Sequence, residues 1–234
     1  MQYKLFFYKK QPFIAIPKDI NIFSLYPSFR DRIRFFFYKS QYKELQDIVS
    51  LEFQKYFEDG IVFFHHNKII IQDIAQKYVA IYADYSGEFY QNFNNYTFKN
   101  FTLPHLYYAD KNLGVFQHIK SYPKEYSFNE IFTLSCEIYN TLGFSHGDFH
   151  KTNLLYAEKT YIIDWDDKQE YNIKHYDFLH YYLVEVFRKF EKKTKDRFEY
   201  FNYIQKELLA YVTQSEIDQA IDFIKKKRAF KGFL

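Results

Sequence analysis

Residues 145–167 read S-H-G-D-F-H-K-T-N-L-L-Y-A-E-K-T-Y-I-I-D-W-D-D, and three of them have types and spacing that can do chemistry. Asp148 is followed five residues on by Asn153, and eleven further by Asp164, which ends the aliphatic run Ile162-Ile163. One carboxylate able to orient a hydroxyl and take its proton, with an amide and a second carboxylate as hard oxygen ligands, is the set that magnesium-assisted phosphoryl transfer needs. Asp148 is therefore the expected base, and Asn153 and Asp164 are the expected ligands of Mg²⁺ on the phosphates of ATP.

Those groups must be positioned by local structure. Residues 154–156 and 161–163 can pair across a turn at 157–160, and the open end of that hairpin sets Asn153 beside Asp164. Upstream, Ser127 and Glu130 form a capping box that starts a helix running to Leu142, with Gly143 as its stop. Downstream, Phe178, Leu179, Tyr182, Leu183, Val186, Phe187 and Phe190 recur at helical spacing, and two more helices are expected over 198–212 and 216–228.

The first part of the chain is strand-rich instead. Residues 3–8 and 13–16 read as a hairpin, 33–38 as a third strand, and 61–64 with 68–71 as a second hairpin. A helix is expected over 41–59, ended by Gly60, and a strand over 78–82. Residues 90–100 are Asn-rich and aperiodic and read as loop. Segments 106–109 and 114–119 flank a turn at 110–112. The expectation is an α+β protein with a strand-rich N-lobe, 1–119, that binds nucleotide, and a helical catalytic C-lobe, 120–234.

The strings H-G-D-F-H-K-T-N and I-I-D-W-D resemble the catalytic loop and metal-binding motif of the aminoglycoside phosphotransferase and choline kinase group. The pattern is similar to that of lipopolysaccharide core kinases and, more distantly, of protein kinases. The resemblance covers about residues 143–187 and implies a two-lobed protein-kinase-like fold with the site in the cleft between lobes. It makes Asp148 the catalytic base, Asn153 and Asp164 the metal ligands, and His146 a loop brace. His150 falls where protein kinases place a phosphate-contacting lysine, so it either donates to phosphate or caps the loop. Tyr176-Asp177-Phe178-Leu179 resembles the segment whose Asp braces the catalytic loop from below.

The chain also departs from that pattern. No glycine precedes Gly60, so a Gly-rich phosphate loop is missing. Lys39 is the first choice for the phosphate-pairing lysine, with Glu52 as its partner, because Glu52 sits in an otherwise apolar helix stripe. The plainer reading puts Glu52 at the solvent edge of that stripe. An alternative uses 106–119 as the strand pair, sets adenine near Gln117–Ile119, and moves the lysine to Lys77.

Composition narrows the function classes. A net charge of +3 is too small to imply nucleic acid as a partner, and 24% aromatic residues fit an AT-rich coding bias as well as any surface. The single cysteine, Cys136, excludes an internal disulfide or a cysteine metal knuckle. Residues 1–10 are too short in apolar length for a signal peptide, and no run approaches a membrane span, so a cytoplasmic protein is expected. Lys225, Lys226, Lys227, Arg228 and Lys231 interleave with Phe230, Phe233 and Leu234; they read as a solvated helix end or as peripheral contact with the inner membrane surface.

Two other classes compete. His146 and Asp148 with a distal His175 or His180 imitate the two-histidine, one-carboxylate triad of iron oxygenases. A pseudokinase scaffold would account for the missing glycines, although Asp148, Asn153 and Asp164 are all present. Within the kinase reading, only twelve residues separate Asp164 from Asp177, little room for a peptide-holding activation segment. Gly147 also replaces an arginine that would read a regulatory phosphate. Seventy residues follow Asp164, less material than an enclosing small-molecule pocket would be expected to use. The expected acceptor is a sugar or small hydroxyl compound, first a lipopolysaccharide or related glycan core, with choline, ethanolamine or an aminoglycoside as the alternative.

Overall fold

A computed structural model describes residues 2–8, 11–19, 39–44, 60–65, 68–82, 85–165, 168 and 173–227. The chain divides into two compact units, Met1–Asn95 with Pro104–Lys120, and Tyr96–Leu103 with Ser121–Leu234. The architecture is α+β.

The first unit is built on one antiparallel sheet of eight described strands in the order β3-β1-β2-β4-β5-β6-β8-β7. β1 (Gln2–Tyr8) and β2 (Gln11–Pro17) form the first expected hairpin, with Leu5 opposite Ala15. β4 (Gly60–His65) and β5 (Lys68–Asp73) form the second. β6 (Tyr78–Tyr82) pairs with β8 (Leu113–Gln117), and β7 (Leu106–Ala109) closes the far edge. Because side chains alternate across a strand, Tyr3 and Leu5 share a face with Ala15, Val62, Ile71, Ala80, Leu113 and Val115, and that face is buried.

Two expectations for this unit are corrected. Residues 41–44, read as the start of a helix, belong to β3 (Lys39–Glu44), which pairs with β1 so that Leu5 faces Gln41. Cross-strand pairing overrides the weak helical periodicity of this polar segment. The rest of that helix and the strand over 33–38 lie outside the described residues. Residues 90–100, read as loop, include the end of α1 (Glu88–Gln91) and a 3₁₀ turn, Phe93–Asn95. Phe89, Tyr90 and Phe93 are buried there and pack around Tyr85 and Phe116, with the Tyr85 and Tyr90 centroids 4.6 Å apart. Asn94 then stands in for a strand: its amide donates to Leu106 O at 2.7 Å and accepts from Leu106 N at 2.8 Å.

Gly114 on β8 makes this packing possible. A Cβ there would lie 2.6 Å from the Phe116 ring and 2.8 Å from the Tyr85 ring.

The second unit is helical. α2 (Phe128–Leu142) opens with the expected capping box, Ser127 Oγ accepting from Glu130 N at 3.2 Å and Glu130 Oε2 accepting from Ser127 N at 2.8 Å. It closes at Gly143, whose φ of 75° is the left-handed conformation that favours glycine. α3 (Tyr176–Glu191) buries Phe178, Leu179, Leu183, Val186 and Phe187 and packs against α2, α4 (Arg197–Leu208) and α5 (Gln214–Lys227). The expected small hairpin is present as β9 (Leu154–Tyr156) and β10 (Thr160–Ile162). Neighbouring segments hold it from both sides: Thr102 N donates to Thr160 O at 2.9 Å, and Tyr122 N donates to Tyr156 O at 2.7 Å. Among the described residues, no helix is long and apolar enough to cross a membrane.

Candidate active site

The loop 144–153 leaves α2 at Gly143 and enters β9, and its shape is set from beneath by the first turn of α3. Asp177 is 2% exposed, and its two carboxylate oxygens accept separate backbone bonds, from His146 N at 2.7 Å and Gly147 N at 3.0 Å. Charge-assisted bonds of this kind are among the stronger ones in a protein interior. Gly147 has φ 84°, so its glycine answers a backbone requirement and not merely the loss of an arginine.

His146 is fully buried and both ring nitrogens are used. Nε2 donates to Ile163 O at 2.8 Å, which leaves Nδ1 to accept from Asp148 N at 3.4 Å. A ring serving one acceptor and one donor is neutral, and burial accordingly pushes its pKa down to about 4. The loop-bracing place expected for His146 is the one it takes.

Asp148 is partly open, its side chain 27% exposed, while the groups that orient it are covered. His150 Nδ1 accepts from Thr152 N at 3.3 Å, which leaves Nε2–H to donate to Asp148 Oδ2 at 3.1 Å. Both of its ring nitrogens are thus engaged in capping the loop and holding Asp148. A phosphate contact would require one of these bonds to be exchanged.

Asn153 is 5% exposed and ends the short 3₁₀ turn Lys151–Asn153. Its amide nitrogen donates to Asp148 O at 2.9 Å, which fixes the amide and leaves its oxygen as a ligand atom. Ile163 N donates to Asn153 O at 3.0 Å, closing the hairpin so that Asp164 follows directly beside Asn153. Asp164 holds φ 65°, a conformation rare for a residue with a side chain and most tolerated by Asn and Asp. An amide oxygen and one carboxylate suit Mg²⁺, which keeps several waters and takes its other ligands from phosphate. Among the described residues, no three or more His, Cys, Asp or Glu side chains converge as a cage for a metal.

The other expected residues belong to the first unit. Lys39 begins the edge strand β3, opposite Phe7 on β1. Its partner, Glu52, lies outside the described residues. Lys77 sits in the β5–β6 turn, where its N–H donates to Asp73 Oδ2 at 2.9 Å. Gln117 ends β8 with its side chain accepting from His105 N at 3.2 Å.

The iron-triad reading does not fit this geometry. Both nitrogens of His146 are bonded to backbone atoms, and His175 Nδ1 lies 2.9 Å from Glu216 at the start of α5. His180, by contrast, belongs to the loop: it is 2% exposed and its Nδ1 donates to Phe149 O at 3.0 Å. The sequence sets it beside this loop only in the iron-triad alternative. The available signal was its spacing of three residues from Asp177, which puts both on one helix face.

No protein-family model matches this chain, and no curated protein matches it significantly.

Proposed function

We propose that this protein is an ATP-dependent phosphotransferase acting on a hydroxyl, with Asp148 as the base and Asn153 and Asp164 as the ligands of Mg²⁺. One observation carries the reading. A single hydrogen-bonded chain runs from Asp177 through His146 to Asp148, and from Asp148 through Asn153 to Ile163, the residue before Asp164. The three residues chosen for their chemistry are therefore held by one buried framework. A base needs both access and a fixed direction, and Asp148 combines partial exposure with a bond from His150.

Bound Mg²⁺ would supply charge neutralisation on the nucleotide phosphates. Asn153 and Asp164 would hold it, and Asp148 would orient the acceptor hydroxyl and accept its proton as the new O–P bond forms and the bond from the γ-phosphorus to the bridging oxygen of the β-phosphate breaks, releasing ADP. The finer fold assignment belongs to the same proposal: a two-lobed protein-kinase-like fold with residues 1–119 binding nucleotide and 120–234 supplying the catalytic groups.

The acceptor in this reading is a sugar or small hydroxyl compound, first a lipopolysaccharide or related glycan core. The twelve residues between Asp164 and Asp177 leave little chain for holding a peptide. The left-handed Gly147 also leaves no arginine to read an activating phosphate. The test is to incubate the purified protein with γ-labelled Mg·ATP and lipopolysaccharide core, choline, ethanolamine or an aminoglycoside, and to weigh the glycan core of cells lacking the gene. Label in the core, with a core lighter by phosphate in the deletion, supports the glycan. Label only in a small amine alcohol moves the acceptor and leaves the transferase; label in none of them, without ATP turnover, overturns the proposal.

A further inference from the structure

The turn from α3 into α4 gathers positive charge. Residues 188–199 read R-K-F-E-K-K-T-K-D-R-F-E, six cations against three carboxylates, a net +3 that equals the charge of the whole chain. Arg188 and Lys189, on the last turn of α3, are paired with Glu185 and Asp196. Lys192, Lys193 and Lys195 are exposed, and none of them has an ion pair among the described residues. With Arg197 they stand as four cations against the two remaining carboxylates, Glu191 and Glu199. Lys193 holds φ 52°, a left-handed turn position that glycine or asparagine fills most readily, so the backbone gives no reason for a lysine there.

Apolar surface lies beside this charge. Three of the seven large apolar side chains exposed among the described residues are on α4 and its cap: Phe198 at 55%, Tyr203 at 54% and Leu209 at 47%. Each residue turns a helix by about 100°, so Phe198, Asn202 and Leu209 fall within about 40° of one line, with Lys206 next to it. Ile204 and Leu208 form the buried side of the same helix. The guanidinium of Arg197 sits 5.1 Å from the centroid of the Phe198 ring, which joins the charged turn to the apolar line. Single exposed apolar residues are ordinary. A line of them flanked by cations is the pattern of segments that lie at a bilayer surface, charge at the headgroups and apolar groups at the acyl boundary.

We propose that the α3–α4 turn and the outer line of α4 dock on an anionic bilayer surface, with Lys192, Lys193, Lys195 and Arg197 at the headgroup phosphates and Phe198 and Leu209 below them. Charge complementarity selects an anionic partner. The aliphatic Leu209 on the same line selects a bilayer over a nucleic acid, whose bases are held by stacking on rings. This surface is separate from the basic cluster at 225–231 to which the sequence points. It does not rest on the phosphotransferase reading.

The experiment is co-sedimentation of the full chain with vesicles of phosphatidylcholine alone and of phosphatidylcholine with about one-third phosphatidylglycerol, at low and high salt. Wild type is expected to sediment with the anionic vesicles only and to be released by salt. Lys192→Gln/Lys193→Gln/Lys195→Gln is expected to lose affinity about a hundredfold, since each lysine near an anionic leaflet contributes about fivefold. Phe198→Ser is expected to lose about tenfold and to keep the salt dependence. The four side chains are exposed, so both variants should keep the melting temperature. Asp148→Asn should bind vesicles as wild type does, so a failure of the transferase reading leaves this result untouched. A folded turn variant that binds like wild type overturns the proposal, as does loss of binding confined to Lys225→Gln/Lys226→Gln. Absence of wild-type binding to anionic vesicles overturns it as well, and capture of an oligonucleotide by the same lysines would then assign the surface to nucleic acid.

Discussion

The sheet of the first unit and the loop of the second are held together by opposite means. Of the eight buried polar residues among those described, only Asp73 lies in the first unit, whereas Ser145, His146, Asn153, Asp177 and His180 belong to the loop or to the helix turn beneath it. The sheet is stabilised by its backbone ladder and by apolar side chains on alternate positions, which tolerate exchange of similar volumes. The loop is stabilised by directed bonds to polar groups withdrawn from water, each costly if its partner is lost. Groups of this kind fix local geometry closely, and the contrast sets the loop of the proposed site apart from the sheet.

The contrast is sharpened most by Asp148→Asn. Turnover of Mg·ATP should fall about 10²–10⁴-fold while the melting temperature stays within error, because the change removes a base and leaves an amide oxygen that can still accept from His150 Nε2. A parallel loss of stability would show that Asp148 belongs to the framework. Next comes Asp177→Ala, which strands the N–H groups of His146 and Gly147. Chemical denaturation should show a loss of about 3 kcal/mol or more.

The third effect is pH-dependent. His146 has its pKa lowered by burial to about 4 in the folded chain against 6.5 unfolded, so between those values the unfolded state binds the extra proton. The contribution is fully present above about pH 6.5 and is lost progressively as pH falls toward about 4, amounting to on the order of 3 kcal/mol. Urea unfolding across this range should fall less steeply for His146→Gln. An equal slope would place the titrating group elsewhere. The smallest effect belongs to the sheet: Gly114→Ala sets a methyl against Phe116 and Tyr85 and should cost about 1–3 kcal/mol, with the same pH dependence as wild type.

How much of this could be read from the chain follows the same division. The hairpins β1–β2 and β4–β5 were legible because aromatic and β-branched residues alternate with turn residues between them. The capping box at Ser127 and the stop at Gly143 were legible because each is a local bond between near neighbours. The hairpin β9–β10 was legible because it lies within one short segment, and the spacing of Asp148, Asn153 and Asp164 around it is what the proposed chemistry rests on. β3 was not legible, since Lys39, Ser40, Gln41 and Lys43 carry the polarity of an edge strand and nothing in them announces pairing with β1. α1 was missed because its stability comes from the burial of Phe89, Tyr90 and Phe93 against distant rings. His180 was named only as a distal ligand of the iron triad, because its place against the loop depends on which segment lies against that helix face.

The central claim, that this loop and hairpin form a magnesium-dependent nucleotide site, is tested most directly by calorimetric titration of Mg·ATP into the wild-type chain and Asp164→Ala. Micromolar to millimolar binding is expected in the wild type, dependent on Mg²⁺ and absent in a folded Asp164→Ala. Equal affinity in the two proteins, or binding indifferent to Mg²⁺, would contradict it.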